Sequence, residues 1–144
     1  MIIFCDLDGT LCDDRHRRKW ALEKDWDKYH GACSRDKPYE DVLGTLQHWA
    51  QEDHTVILMT GRTERHRERT INWLRKHSVP YEVLLMRPDD DPRPTVVVKL
   101  AWLKQEEWED DILVLENDPV QGFVIAEHHG FTVWHIRRGK VNHE

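Results

Sequence analysis

Short apolar runs alternate with longer stretches of helical periodicity along this chain. Most residues are apolar in five runs, at about residues 2–5, 55–59, 82–86, 112–115 and 132–136. Runs of this length predict buried β-strands, and the helical stretches between them are typical of βαβ units. The pattern therefore predicts an α/β fold with a Rossmann-like, doubly wound parallel sheet of five strands.

Helices are predicted between the strands, at about residues 38–53, 63–77, 95–108 and 118–130. In the first of them, Val42, Leu43 and Leu46 recur at the spacing of one helix face. The last begins with Asp118 followed by proline and stops at Gly130, which are common start and stop signals.

The segment 13–37 does not fit this alternation. It is charged and rich in aromatic residues, and it stands directly after the first strand. It is too long for a βα turn and too short for a separate domain. We therefore predict a single domain over residues 1–144, with the segment 13–37 inserted as a small cap over the site.

Composition excludes several classes of protein. The 144 residues suffice for one domain with its own core, and 39% of them are hydrophobic. With 21 basic and 27 acidic residues the net charge is -6, which argues against binding nucleic acid by bulk charge alone. No apolar run approaches the roughly 20 residues of a membrane helix, and the first residues do not resemble a secretory signal. The sequence therefore favours a cytoplasmic protein.

Polar clusters directly follow three of the predicted strands. They are Asp6-Leu7-Asp8-Gly9-Thr10, Thr60-Gly61-Arg62 and Glu116-Asn117-Asp118. Because the carboxyl ends of parallel strands lie along one edge of a sheet, where ligands bind in this fold class, the three clusters should meet. A lone pair of carboxylates would be weak evidence, but three clusters at three strand ends predict a functional site.

This arrangement suits phosphoryl transfer with Mg²⁺. Magnesium prefers carboxylate, carbonyl and water oxygens, which the ends of the first and fourth strands offer. Asp6 is suited to attack phosphorus, and Asp8 to protonate the leaving oxygen and later activate water. The Thr60 hydroxyl and the Gly61 amide can hold phosphate oxygens, while Lys99 supplies compensating positive charge.

In these clusters the chain resembles the haloacid dehalogenase (HAD) superfamily of aspartate-nucleophile phosphatases. The resemblance lies in the three strand-end clusters and Lys99, in the order that the family shows, and it covers almost the whole chain. Three shorter matches look like the 3′-phosphatase domain of phage polynucleotide kinase: Lys24-Asp25-Trp26-Asp27-Lys28-Tyr29, Leu85-Met86-Arg87-Pro88, and Arg93-Pro94 before Val98-Lys99.

The resemblance implies a role for each matching residue. Asp6 would be the nucleophile and Asp8 the acid and base. Thr60 would be a phosphate ligand, and Lys99 the lysine that steadies the phosphoaspartate. Magnesium would be held by Asp6, the backbone carbonyl of Asp8 and an acidic residue after the fourth strand.

That last metal ligand has three candidates. The adjacent acidic pair of the family appears here as Glu116-Asn117, with Asp118 following. By register Asn117 takes the ligand position, but a neutral amide is a poorer magnesium ligand, which favours Glu116 or Asp118. Asp118 alternatively serves only as a helix cap.

By the same resemblance, we expect a Mg²⁺-dependent phosphomonoester hydrolase that removes 3′-phosphate from nucleic-acid ends. Arg62, Arg87 and Arg93 would bind the substrate, since they lie near the phosphate-binding turn or on the loop after the third strand. The alternative is a small-molecule phosphatase such as a (deoxy)nucleotide monophosphatase, because one fold hosts many substrates. The chain has no G-x-x-x-x-G-K-[ST] motif, so the resemblance implies a phosphatase that works alone or beside a separate kinase or ligase.

Two further interpretations remain open. The basic run 15–19, followed by Trp20, Trp26, Tyr29 and His30, can form a platform for a nucleotide or a single-stranded end. Alternatively, these residues only pack the inserted segment and face water.

A catalytically silent binding module with the same fold is a hypothesis of a different class, supported only by the departure at Asn117.

Overall fold

The computed structural model describes residues 1–105 and 108–139. Its strands are β1 (Ile2–Asp6), β2 (Cys12–Asp13), β3 (Lys37–Pro38), β4 (Thr55–Thr63), β5 (Val83–Arg87), β6 (Ile112–Glu116) and β7 (Thr132–His135). Its helices are α1 (Arg18–Leu22), α2 (Trp26–Gly31), α3 (Glu40–Gln51), α4 (Arg67–Lys76), α5 (Thr95–Leu103) and α6 (Pro119–Phe123). The chain continues from α6 into a π-helical turn at Val124–His128.

A five-stranded sheet with the order β5-β4-β1-β6-β7 forms the centre of the molecule. Every neighbouring pair in it is parallel. Strand β1 lies in the middle and is buried along its whole length. The five strands lie where the apolar runs predicted them, so the predicted α/β fold with a parallel sheet is confirmed.

Both faces of the sheet are covered, as alternation along β1 requires. Ile3 and Cys5 face one core cluster, which α3 and α4 complete with Leu46 and Leu74. Ile2 and Phe4 face a second cluster, which includes Leu100 of α5. The sheet is therefore doubly wound, and its carboxyl edge is left open for a site.

Helix α5 is shorter than the predicted segment 95–108. It ends at Leu103, and residues 106–107 lie outside the described part of the chain. Trp108 donates from Nε1 to the Trp102 carbonyl (2.7 Å) and packs edge-on against Phe4. Its ring therefore adds to the core beside α5.

The segment 13–37 lies between the two strands of a short antiparallel ribbon. Cys12 pairs with Pro38 in β2 and β3, which closes the base of the segment. The helices α1 and α2 follow each other inside it, and α4 fixes the far side. There Arg69 donates to the Gly31 carbonyl (2.6 Å) and Trp73 to the Asp36 carbonyl (2.8 Å).

Among the described residues, no helix combines the length and apolarity needed to cross a membrane.

Candidate active site

A cleft of about 780 Å³ opens at the carboxyl edge of the sheet. It is lined by all the predicted site residues except Arg62: Asp6, Asp8, Thr60, Gly61, Arg87, Arg93, Lys99, Glu116, Asn117 and Asp118. These residues come from the ends of different strands and from α5. The fold thus places residues as far apart in the sequence as Asp6 and Asp118 in one cleft.

Asp6 ends the central strand β1 and is almost fully buried. One carboxylate oxygen accepts a hydrogen bond from Lys99 Nζ (2.9 Å), and the other accepts from Thr10 Oγ1 (3.1 Å). Burial, and then the negative charge of Glu116, raise the pKa of Asp6 to about 8 although Lys99 opposes them. Lys99 is therefore the group that favours the charged, nucleophilic form of this carboxylate.

Lys99 lies on α5 with its ammonium group buried between two carboxylates. Its Nζ donates to Glu116 Oε2 (2.6 Å) and to Gln121 Oε1 (2.9 Å), in addition to Asp6. Burial would lower the pKa of Lys99, but the attraction of Asp6 and Glu116 raises it above its usual value. The side chain is thus a fixed positive charge beside Asp6.

Asp8 is held by two arginines. Arg62 Nη2 lies 2.6 Å from Asp8 Oδ1, and Arg17 Nη2 lies 2.5 Å from the same oxygen. Burial would raise the pKa of Asp8, but the attraction of Arg62 and then of Arg17 holds it well below its usual range. Asp8 is therefore a carboxylate in this state, and Arg62 contacts it from beneath the cleft.

Arg17 and Asp36 are site residues that the sequence did not single out. Arg17 is fully buried and donates from Nε and Nη2 to the two oxygens of Asp36 (2.9 and 2.6 Å) as well as to Asp8. In the sequence it is one of five basic residues in the run 15–19, which mostly predicts exposure. No local signal distinguishes it, because its partners are distant in the chain.

A group of possible metal ligands occurs at this same place. Asp8, Cys12 and Asp36 bring one ligand atom each within 4.8 Å of one another. Arg17 and Arg62 already donate to these carboxylates and supply their positive charge. The group is therefore an ion-pair network whose cations are guanidinium groups.

The last residues of β4, where its pairing with β5 shifts register between Thr60 and Thr63, lie beside Asp6. Thr60 is buried, and its Oγ1 accepts a hydrogen bond from the Arg62 amide (3.1 Å). A Cβ atom on Gly61 would lie 3.0 Å from the methyl group of Thr95, so the backbone approaches α5 closely there. Thr60 and Gly61 form one side of the cleft floor.

The three residues at the end of β6, Glu116, Asn117 and Asp118, contact different partners. Glu116 accepts from Lys99 and from the Asp118 amide (3.2 Å). Asp118 caps α6, since its Oδ1 accepts from the amides of Val120 (2.9 Å) and Gln121 (3.1 Å). Both carboxylates are therefore engaged elsewhere.

Asn117 alone of these three residues reaches the oxygens of Asp6 and Asp8. With its nitrogen turned inward, the Asn117 amide donates to Asp6 Oδ2 (3.0 Å) and to the Asp8 carbonyl oxygen (3.1 Å). Gly9 makes this contact possible: its φ is +87°, and a Cβ atom there would lie 2.2 Å from the Asn117 amide group. Asn117 therefore contacts both Asp6 and Asp8.

The two arginines on the far wall of the cleft are already paired. Arg87 donates to the carbonyls of Gly61 (3.3 Å), Asp91 (3.0 Å) and Arg93 (2.5 Å), and to Thr95 Oγ1 (2.6 Å). Arg93 forms an exposed ion pair with Asp91 (2.7 Å). Arg87 therefore shapes the loop 88–94, while Arg93 remains at the cleft surface.

Comparison with a known family identifies a match over nearly the whole chain. The family described as the polynucleotide kinase PNKP phosphatase domain matches residues 1–139. No curated protein sequence matches the chain.

Solved structures share the fold. A chain of the Pnkp1/Rnl/Hen1 complex is 23% identical with a TM-score of 0.80, over 97% of this chain and 47% of that one. A hydrolase from Streptococcus pneumoniae TIGR4 is 14% identical with a TM-score of 0.65, over 94% and 92% of the two chains. A class C acid phosphatase from Bacillus anthracis is 17% identical with a TM-score of 0.64, over 83% and 52%. This chain therefore spans less than half the length of the Pnkp1/Rnl/Hen1 relative.

Proposed function

The chain belongs to the family of polynucleotide kinase PNKP phosphatase domains, and on that premise we propose that it removes 3′-phosphate groups from nucleic-acid ends. Family membership confirms the resemblance and the enzyme class predicted from the sequence: this is a HAD-type phosphatase. The proposal adds the substrate, the Mg²⁺ dependence and the residue roles. The observation that carries it is the buried Asp6 carboxylate on the cleft floor, paired with Lys99.

The proposed reaction has two steps, both centred on Asp6. A carboxylate oxygen of Asp6 attacks phosphorus, the bond from phosphorus to the ester oxygen breaks, and the leaving oxygen takes a proton. Water then attacks the phosphorus of the aspartyl-phosphate, which releases orthophosphate and restores Asp6. Lys99 offsets negative charge throughout, and Thr60 with the Gly61 amide holds phosphate oxygens.

Asp8 is the proposed acid and base for these steps. In the described state Arg62 and Arg17 keep it charged, which suits the acceptance of a proton from the attacking water. To protonate the leaving oxygen, Asp8 must first loosen this contact and take up a proton.

The residues at the end of β1 and β6 fit a divalent cation. In the orientation that satisfies its hydrogen bonds, the Asn117 amide nitrogen donates to Asp6 Oδ2 and to the Asp8 carbonyl; when the amide turns over, its oxygen takes that place and three oxygens face one another at about 3 Å. A hard cation such as Mg²⁺ stabilises such a group of oxygens. We therefore assign Asp6, the Asp8 carbonyl and Asn117 as the metal ligands. Mg²⁺ there would offset the charge of carboxylate and phosphate so that they can approach.

The family match and the size of the cleft support a nucleic-acid substrate. We propose one domain over residues 1–144, in which the segment 13–37 caps the cleft. The relative in the Pnkp1/Rnl/Hen1 RNA repair complex supports a nucleic-acid substrate and a separate kinase or ligase as partner. The net charge of -6 favours the alternative, a phosphatase of (deoxy)nucleotide monophosphates.

The test is phosphate release, with and without Mg²⁺, from four substrates: a 3′-phosphorylated oligonucleotide, its 5′-phosphorylated twin, and the 3′- and 5′-mononucleotides. We expect Mg²⁺-dependent preference for the 3′-phosphorylated oligonucleotide. Asp6→Asn should lower its turnover by more than about a thousandfold. Asp41→Asn, at an exposed aspartate paired with Arg138, is the matched control and should keep wild-type turnover. Preference for a mononucleotide would replace the proposal with the alternative.

A further inference from the structure

An exposed tryptophan stands on the wall of a cleft that is otherwise mostly polar. Trp26, at the start of α2, lines the cleft together with Tyr29 and His30 and is 52% exposed. Asp6 and Lys99 form the floor of the same cleft. Single exposed apolar side chains are common in proteins, but this ring lines the same cleft as Asp6 and Lys99, which makes it available to a ligand held there.

The ring of Trp26 is fixed by aromatic neighbours behind it. His30 stacks on it with ring centroids 6.3 Å apart and an angle of 25° between the planes, and Tyr29 meets it edge-on at 6.0 Å. His66 supports His30 from below at 5.7 Å. Both histidines are buried, so Trp26 stands on a packed base.

The same helix is tied to the reacting groups. Arg17 donates from Nη1 to the Tyr29 carbonyl (3.0 Å) and from Nη2 to Asp8 (2.5 Å), and its guanidinium lies 4.4 Å from the centre of the Tyr29 ring. One buried arginine therefore fixes the position of α2 relative to Asp8. Such rigid placement suits a specificity element, because the protein then loses little conformational freedom when a ligand binds.

We infer that Trp26 is a stacking subsite for the nucleobase of the nucleotide whose 3′-phosphate lies at Asp6. A nucleobase is the planar group that a 3′-phosphorylated end carries next to its phosphate, and every base has a face that can stack on an aromatic ring. The subsite is therefore tolerant of sequence but requires a base. This inference rests on the proposed function and names the part of the substrate that the cleft recognises besides phosphate.

The test compares two 3′-phosphorylated oligonucleotides, one with a normal terminal nucleotide and one with an abasic terminal residue. We expect wild-type protein to prefer the base-bearing end in kcat/KM. Trp26→Ala should reduce that preference by about tenfold, mainly through KM, since stacking on one aromatic ring contributes about that much or more. Trp26→Phe, which keeps an aromatic face, should retain most of the preference.

Trp134→Ala is the matched control. Trp134 is also 52% exposed, but it lies on the edge strand β7 against Trp49 and outside the cleft. It should keep the wild-type preference. Circular dichroism and the melting temperature of each variant show whether α2 remains folded. If Trp26→Ala unfolds, Trp26→Leu, which keeps an apolar side chain without an aromatic face, carries the test and should lose the preference.

Two results would overturn the inference, and they are distinguishable from each other. Equal kcat/KM of wild-type protein on both ends, or a preference that Trp26→Ala leaves intact, excludes the stacking subsite while the 3′-phosphatase proposal stands. No release from either oligonucleotide, together with release from another phosphomonoester, overturns the proposed function and this inference with it.

Discussion

Arg17 and Asp8 form a buried ion pair, with Arg17 Nη2 2.5 Å from Asp8 Oδ1 and no solvent-exposed surface on the arginine side chain. The same guanidinium also holds Asp36, whose side chain is equally inaccessible. One cation thus serves two carboxylates from different parts of the chain. The inserted segment is fastened to the catalytic end of β1 by this contact.

Loss of Arg17 should destabilise the protein strongly. Arg17→Ala removes a positive charge from beside Asp36, which is fully buried, and leaves Asp8 with only one of its two arginines. Removing one partner of a buried ion pair costs about 3 kcal/mol or more. Arg15→Ala is the control, because Arg15 makes a similar pair with Asp13 at the surface, where solvent screens it. Urea unfolding at pH 7 measures both variants. Equal midpoints would show that the buried network contributes nothing.

The Mg²⁺ requirement should depend on Asn117. We expect Asn117→Ala to raise the Mg²⁺ concentration for half-maximal activity by about tenfold or more, and Asn117→Asp to lower it, because a carboxylate is the better ligand. Asp118→Asn keeps the α6 cap and should change this concentration little. Titration of activity with Mg²⁺ after chelation distinguishes them. The opposite ranking of residues 117 and 118 would return the ligand role to Asp118.

The backbone at Gly9 should tolerate no side chain. Gly9→Ala places a Cβ atom against Asn117 at a positive φ, so we expect a loss of about 2 kcal/mol in unfolding free energy and weaker Mg²⁺ activation. Gly44→Ala is the matched control: it lies in α3 with no atom within 4 Å of the new Cβ, and should stabilise by about 0.5–1 kcal/mol. Thermal unfolding and Mg²⁺ titration of both variants test the pair. A neutral Gly9→Ala would contradict the packing described.

Stability should fall on the acid side because of His30. Burial lowers the pKa of His30 from 6.5 to about 4, despite the attraction of Asp8. Between these values the unfolded chain binds a proton that the folded protein does not, so folding stability falls as pH falls from 6.5 to 4, by about 2 kcal/mol. His30→Phe should flatten the slope of unfolding free energy against pH in this window. An unchanged slope would show that His30 is not the group responsible.

The sequence predicts part of the site because the position of those residues follows from strand direction. Asp6 and Glu116 end their strands and Thr60 lies near the end of β4, and parallel strands bring such ends to one edge of the sheet. Arg17 gave no such signal, because it belongs to a basic run that resembles a solvated surface. Its burial depends on Asp8 and Asp36, and only the folded insertion brings these three together.

The residues at the end of β6 also show which contacts the sequence cannot predict. The sequence identified Glu116, Asn117 and Asp118 as a set but could not separate them, because three consecutive side chains point in different directions once the strand ends. Lys99 engages Glu116, and the start of α6 engages Asp118. Asn117 is then the residue that meets Asp6.

The fold class, the five strands, the family resemblance and the edge where the polar clusters meet all follow from sequence patterns. Periodicity and strand ends are local properties, and the hydrophobic effect converts them directly into layers. The tertiary structure alone decided which charges are paired, which amide reaches the nucleophile and where Trp26 stands. These depend on distances between residues far apart in the chain, which are set only when the insertion packs against α4 and the open edge of the sheet.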